Sequence, residues 1–191
     1  MGPYGRRLKR WVDVAIAGGG LLIFALPMGW IAWKIRRIVG PPALFRQIRV
    51  GFGGGSFTVL KFRTMTSEGT VSSLFCQHLR ASAMDELPQL INILRGEMSF
   101  VGPRPLIPEE LEMLERFPRG RNRLGVRPGL TGLAQLYSTK VPVLSERLRW
   151  DLAYVDRCSF LLDLKILFRS VAITLCGAWE KPGPKFPPEA A

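Results

Sequence analysis

Between Trp11 and Trp33 the chain runs for 23 residues with a single charge, Asp13, and with Pro27 inside the run. As a helix this stretch would reach about 34 Å, enough for a hydrocarbon layer of about 30 Å. Pro27 works against a simple span. It lacks an N–H and its ring collides with the preceding turn, so the predicted break at Pro27 leaves a first arm of about 16 residues, too short to cross comfortably. Basic residues stand on both sides: Arg6, Arg7, Lys9 and Arg10 before the run, Lys34, Arg36 and Arg37 after it. A single span normally carries its Lys and Arg lopsidedly. The even distribution predicts a re-entrant helix that enters one leaflet, bends at Pro27 and returns to the same face. A true span and a buried soluble helix are the two weaker alternatives. Trp11, Trp30 and Trp33 lie near the ends, where indole rings favour the membrane interface, although plain core packing explains them too.

The remaining composition narrows the partner. Lys and Arg outnumber Asp and Glu by 27 to 15 in 191 residues, a net charge of +12. Such a surplus points to nucleic acid, anionic lipid or phosphorylated substrates. About half of it flanks the apolar run, which fits a membrane surface. The other Arg residues sit in Pro/Gly-rich loops without interleaved aromatics, so no nucleic-acid partner is expected. Cys76, Cys158 and Cys176 show no CxxC spacing, which excludes a disulfide framework and a zinc site of that pattern. The single histidine, His78, has no nucleophile-elbow sequence beside it and reads as packing or surface.

Beyond Gly40-Pro41-Pro42, two strands are predicted at Leu44–Val50 and Phe57–Arg63. The loop Gly51–Ser56 is rich in glycine, but no helix follows it, so a hairpin connection is favoured over a phosphate cradle. Val59, Lys61 and Arg63 share one strand face; two adjacent cations there suit a diphosphate or a solvated edge equally. In Met84-Asp85-Glu86-Leu87-Pro88-Gln89-Leu90-Ile91-Asn92-Ile93-Leu94, the apolar residues fall at helical spacing. Asp85 is the predicted N-cap, and Pro88 is tolerated in a first turn. The helix dipole would keep Asp85 and Glu86 ionised and could also attract a phosphate, with Arg80 nearby to neutralise the approach. A plain N-cap explains the same residues. Arg104 lies between Pro103 and Pro105, and Arg127 precedes Pro128-Gly129, so each is held on a stiff loop suited to clamping phosphate. Pro108 opens a short acidic helix to about Arg116. Ser145 and Ser159 are predicted caps of helices reaching about Arg157 and Cys176, the second strongly apolar but interrupted by Asp163, Lys165 and Arg169. The tail from Lys181, with four prolines, reads as unstructured.

In order along the chain, these segments resemble the small monotopic phosphoglycosyl transferases, the bacterial sugar transferase family. The blocks are Gly40-Pro41, Arg46–Gly51, Lys61-Phe62-Arg63-Thr64-Met65, Leu79-Arg80, Asp85–Leu90, Gly96-Glu97-Met98-Ser99, Val101–Pro105, Pro128–Gly132 and Ala134-Gln135. Singly they are weak; their joint order is specific. The chain departs from the family pattern in three places: Leu26-Pro27 where Ser-Pro is common, Gly55 where Lys is frequent, and a short stretch from Thr66 to Gln77.

The resemblance implies an α+β fold. An N-terminal re-entrant membrane helix (1–39) would precede a small cytoplasmic catalytic domain (40–178), followed by a Pro-rich tail (179–191). The domain would hold a short β-hairpin and several helices, some at the membrane interface. The resemblance further implies transfer of a sugar 1-phosphate from a UDP-sugar to a polyprenyl phosphate, with release of UMP, as a first membrane step of glycan assembly. Asp85 would be the nucleophile and Glu86 its dyad partner, both as ligands of Mg²⁺, with Lys61, Arg80, Arg104 and Arg127 at the phosphates. The implied setting is the bacterial inner membrane, with the lipid bilayer as a partner and a homodimer as a candidate assembly. The competing expectation is a non-catalytic basic protein that binds anionic lipid at the membrane surface. The re-entrant expectation has a direct test. Cysteines introduced by Gly5→Cys and Gly40→Cys should react from the same side of the membrane in intact cells, and opposite accessibility would establish a span.

Overall fold

A computed structural model describes residues 7–66, 68–138, 143–181 and 183–186. Gly5 and Arg6, with residues 182 and 187–191 of the predicted tail, lie outside the described residues. The elements in chain order are α1 (Arg7–Ile38), β1 (Leu44–Val50), β2 (Ser56–Phe62), α2 (Leu74–Ala81), α3 (Gln89–Arg95), β3 (Ser99–Val101), α4 (Pro108–Met113), β4 (Gly129–Thr131), α5 (Leu133–Tyr137), α6 (Leu144–Arg157) and α7 (Phe160–Leu175). The architecture is α+β, with a long apolar N-terminal helix and two small sheets.

Pro27 does not end α1, contrary to the sequence expectation: the helix is assigned from Arg7 to Ile38 with the proline inside it. Packing on both sides of Pro27 accounts for this. Ala17 and Leu21 join Leu90, Ile93 and Met98 in one apolar cluster. Met28, Ile31, Ala32 and Ile35 join Ala43, Phe62, Leu79 and Leu87 in another. The packed positions 17, 21, 28, 31 and 35 are spaced by four, seven, three and four residues, all helical repeats, so one stripe of α1 lies along the domain through both arms. The opposite side carries Trp11, Leu22, Ile23, Leu26, Trp30 and Trp33, all more than half exposed. Polar contacts fix the N-terminal end. Asp13 accepts from the Ser99 hydroxyl and the Phe100 N–H, each at 3.1 Å. Lys9 pairs with Asp163 of α7. Arg10 donates to the carbonyls of Ile93 and Leu94 at the C-terminal end of α3.

β1 and β2 form the expected antiparallel hairpin, one residue earlier in β2 than predicted, closed by a 3₁₀ turn at Phe52–Gly54. A second sheet was not foreseen: β3 and β4 pair in parallel, Ser99 opposite Gly129 and Val101 opposite Thr131. Three glycines make that pairing possible. A Cβ on Gly129 would stand 2.1 Å from the Gly102 nitrogen, and one on Gly132 would stand 2.2 Å from the Gly102 carbonyl oxygen. The Val101–Pro105 and Pro128–Gly132 blocks therefore meet in direct backbone contact where β3 and the start of its following loop lie against β4.

Ser159 caps α7 as predicted, accepting from the Leu162 N–H at 3.3 Å, whereas α6 begins at Leu144 after Val143. The described part of the tail is packed, against expectation. The Trp179 N–H donates to the Ala81 carbonyl at 3.2 Å, the Lys185 N–H donates to the Leu136 carbonyl at 2.8 Å, and Phe186 packs with Tyr137. Two aromatic anchors outweigh the prolines there. Gly129→Ala should lower thermal stability in detergent by about 1–3 kcal/mol through overpacking. Gly125→Ala, whose Cβ meets nothing within 4 Å, should leave it unchanged. Equal midpoints for the two variants would contradict the close approach.

Candidate active site

The dyad does not cap a helix. Residues Met84–Glu86 form a 3₁₀ turn, and α3 starts only at Gln89. The turn is closed by bonds from Glu86 N–H to the Ala83 carbonyl (3.1 Å) and from Leu87 N–H to the Met84 carbonyl (3.3 Å). Pro88, with no N–H to donate, separates the turn from the helix. Ala83 enters the turn at φ +54°, the left-handed region that a non-glycine residue occupies at a cost. Asp85 is thereby turned inward and is only 7% exposed.

This placement reverses the electrostatics expected from a helix N-terminus. Burial pushes the Asp85 carboxyl up to about 6; the Glu86 charge adds to that, and Lys61 and Arg80 pull in the other direction. Burial acts on Glu86 as well, but Lys61 and Arg104 outweigh it and hold this carboxyl below its usual range, with a hydrogen bond from Gln89 assisting. The two adjacent carboxylates are thus driven apart, Glu86 firmly ionised and Asp85 poised near neutrality. Such a division of two neighbouring titratable groups is characteristic of reactive sites.

Lys61 reaches Glu86 because of the strand alternation noted in the sequence. Val59 packs against α3 in the apolar cluster, and Lys61, two residues on, projects from the same face to pair with Glu86 Oε1. Asn92 locks the register. Fully buried on α3, its Oδ1 accepts from the Leu60 N–H at 3.1 Å and its Nδ2 donates to the Thr58 carbonyl at 2.7 Å. Arg63 serves differently from its strand neighbour: it donates to the carbonyls of Val39, Gly40 and Pro41, at the C-terminal end of α1.

Arg104 Nη1 lies 3.9 Å from Glu86 Oε1, with its side chain 40% exposed and so open to a ligand. Its loop is braced from behind by residues the sequence did not single out. Arg123 donates to the Arg104 carbonyl at 2.6 Å and pairs with Asp151 at 2.9 Å, both side chains 2% exposed. Arg49 donates to the Pro105 carbonyl at 3.2 Å. Only the arginine-dense run from Arg119 to Arg123 hinted at such a brace, and nothing local marks Asp151. Arg80 acts on Asp85 through its charge while its own guanidinium engages Glu180 at 3.1 Å. Arg127 stands apart from this group. Its Nε donates to the Gly96 carbonyl at 2.9 Å and its guanidinium lies 5.9 Å from the Phe52 ring centre, at the far end of α3 from the dyad. The structure therefore gathers Lys61, Arg80, Arg104, Asp85 and Glu86, and anchors Arg127 to Gly96 at the other end of α3.

Among the described residues no group of three metal-binding side chains occurs. Asp85 and Glu86 offer two carboxylates, one oxygen of Glu86 being engaged by Lys61. That donor set fits Mg²⁺, which commonly takes one or two carboxylates and completes its shell with substrate phosphates and water.

Comparison with known proteins gives the arrangement its family. The bacterial sugar transferase family model matches residues 4–177. The chain is 39% identical over 174 residues to EpsL of Bacillus subtilis, named an uncharacterized sugar transferase, covering 86% of this chain and 85% of that one. It is 39% identical over 182 residues to the UDP-glucose:undecaprenyl-phosphate glucose-1-phosphate transferase of Caulobacter vibrioides, covering 85% and 68%. Identity to the exopolysaccharide production protein ExoY of Rhizobium meliloti is 34% over 196 residues, covering 88% and 86%. The chain belongs to the bacterial sugar transferase family and is a transferase, so the non-catalytic alternative falls.

The poised dyad predicts a pH dependence. A carboxyl raised to about 6 is protonated, and unable to act as a base or nucleophile, below that pH, so donor turnover should climb as pH rises through about 6. Glu86→Gln removes the like charge, so the inflection should move to lower pH in whatever activity remains. A profile whose inflection did not move would show that burial alone sets the Asp85 carboxyl.

Proposed function

We propose that this transferase moves a sugar 1-phosphate from a UDP-sugar to a polyprenyl phosphate, with Asp85 as the nucleophile. The observation that carries the reading is the Asp85 carboxyl itself: buried, beside an ionised Glu86, and enclosed by Lys61, Arg80 and Arg104. The names of relatives that act on UDP-glucose and undecaprenyl phosphate support the two substrates.

In this reading the donor diphosphate enters over Lys61 and Arg104, whose charges offset the repulsion between phosphate and dyad. Asp85 and Glu86 would hold Mg²⁺, which when bound supplies further neutralisation of the diphosphate. An Asp85 oxygen forms a bond to the β-phosphorus. The bond from that phosphorus to the bridging oxygen breaks, and UMP departs with the electron pair. The enzyme is left with a sugar phosphate on the Asp85 carboxylate, an acyl phosphate. An oxygen of the lipid phosphate then attacks the same phosphorus, forming the diphosphate linkage and returning the free carboxylate. Glu86, kept ionised by Lys61, orients the lysine and by its like charge makes the Asp85 carboxylate more basic without being consumed.

α1 complements this chemistry. Its two arms rest on one domain while its other side exposes large apolar residues from Trp11 to Trp33, which supports a re-entrant placement with both ends at one membrane face. Such a placement holds the site at the interface, where a water-soluble donor and a lipid acceptor can both arrive. The corresponding localisation is the cytoplasmic membrane with the domain on the cytoplasmic side, where nucleotide sugars are made.

With donor present and acceptor absent, the wild type should release UMP stoichiometrically and gain the mass of one sugar phosphate at Asp85. Asp85→Asn keeps the side-chain shape and should abolish both without unfolding. Normal turnover by Asp85→Asn, or an adduct on another residue, would sink the mechanism.

A further inference from the structure

The chain beyond α7 is directed back to the reactive turn. Gly177, at φ +57°, ends the helix with two return bonds: its N–H donates to the Thr174 carbonyl and the Ala178 N–H donates to the Ile173 carbonyl, each at 3.1 Å. The turn leads the backbone to the end of α2. There the Trp179 N–H donates to the Ala81 carbonyl at 3.2 Å, one of the last carbonyls of α2 and so without a partner inside that helix. The Trp179 indole N–H donates to the Thr174 hydroxyl at 2.9 Å, which fixes the residue from its other side.

A second contact follows in register, Glu180 on Arg80. Arg80 Nη2 donates to Glu180 Oε1 at 3.1 Å, and Nη1 donates to Met65 Sδ at 3.5 Å. Fold stability does not account for the ion pair. Its side chains are 29% and 38% exposed, and a pair so open to water contributes little to folding. The segment is held without it, by the Trp179 and Lys185 backbone bonds and by the packing of Ala178, Trp179 and Phe186 on the cluster around Leu136 and Tyr154. What the pair fixes is a guanidinium. Arg80 stands in the last turn of α2, and its charge reaches Asp85. An arginine left loose at a helix end samples many rotamers and gives up that freedom only when a ligand binds. Its planar fork carries five N–H donors, so Glu180 can take one edge and leave others for a phosphate.

We infer that Glu180 is a positioning residue for the donor step: it holds Arg80 by one edge of the guanidinium and so presents the remaining N–H groups to the donor diphosphate beside Asp85. The inference rests on the proposed function for its substrate. It adds a residue just beyond the family-matched stretch 4–177, and it gives the segment after α7 a part in the site.

The test compares the two substrates, since in a two-step transfer each kcat/KM reads its own half-reaction. Glu180→Ala should lower kcat/KM for the UDP-sugar by about two- to tenfold, the effect of having to order one long side chain on binding. The kcat/KM for undecaprenyl phosphate in nanodiscs should match the wild type. Affinity for UDP alone, measured by calorimetry, should fall by the same factor as the donor constant. Glu180→Gln retains an acceptor oxygen and should keep most of both values. Phe186→Ala removes a separate anchor of the segment and should leave the donor constant unchanged. With Arg80→Lys in place, whose ammonium has no fork, Glu180→Ala should weaken UDP binding no further. An unchanged donor constant and UDP affinity in Glu180→Ala overturns the inference. So does an equal fall for both substrates, or the same donor loss in Phe186→Ala, since the segment would then act through folding alone. Tighter UDP binding by Glu180→Ala overturns it too, by showing that Glu180 competes with the phosphate for Arg80. If the wild type forms no Asp85 adduct, the covalent mechanism fails, but UDP affinity still reads Glu180 independently.

Discussion

The packing of one stripe of α1 along the whole domain is the constraint from which the remaining architecture follows. A domain of this size has little apolar volume to bury, and its core is divided into separate clusters. Two of them are completed by α1: Ala17 and Leu21 close the cluster around Ile93 and Met98, and Ile31 and Ile35 close the cluster around Phe62 and Leu79. Without the helix both would lie open. A helix that exposes large apolar residues on one side and closes a protein core with the other fixes where its apolar side lies relative to the domain. The charged residues at its N-terminal end reinforce that orientation through Asp163, Ser99 and the carbonyls of α3.

The reactive turn sits between these two clusters, which explains its electrostatics. Leu87 packs against both of them, Met84 packs against the second, and Asp85 between them is carried inward. Removing a carboxylate from water raises its pKa unless cations compensate, and here the cations are shared unequally. Lys61 and Arg104 converge on Glu86, leaving Asp85 with burial and a neighbouring negative charge that Lys61 and Arg80 offset only in part. The inequality originates in strand register: Asn92 holds β2 so that Lys61, and not a neighbour facing the other way, meets the turn.

Arg104 depends on a longer chain of contacts. Its loop follows β3, which pairs with β4 only because Gly102, Gly129 and Gly132 allow the backbones to touch. Behind it stands the buried Arg123–Asp151 pair, in which burial pushes Asp151 up to about 6 even though Arg123 opposes it. A buried pair of this kind contributes little net stability but is costly to break, so it specifies where the loop lies. The proline ring on either side of Arg104 stiffens the loop; the brace determines where the stiff loop points.

The sequence by itself determined the apolar helix and its basic flanks, the β1–β2 hairpin, the Ser159 cap, the presence of Asp85-Glu86 beside an apolar helical pattern, and the family. These are carried by local chemistry: charge, two- and 3.6-residue periodicity, capping side chains, and the ordered blocks. Tertiary structure alone decided the rest. It placed the dyad in a 3₁₀ turn ahead of α3, because Pro88 has no N–H and the turn is pulled inward by packing, and this raised the Asp85 carboxyl where a helix N-terminus would have lowered it. It carried α1 through Pro27, because apolar contacts hold both arms. It assigned Lys61 to Glu86 but Arg63 to the end of α1, where alternation had only set both on one strand face. It paired the two glycine–proline blocks as parallel strands, drew Arg123 and Asp151 together from 28 positions apart, and seated Arg127 at the far end of α3. Each of these outcomes joins residues distant in sequence through burial or backbone contact, and no local pattern encodes which distant partner will be met.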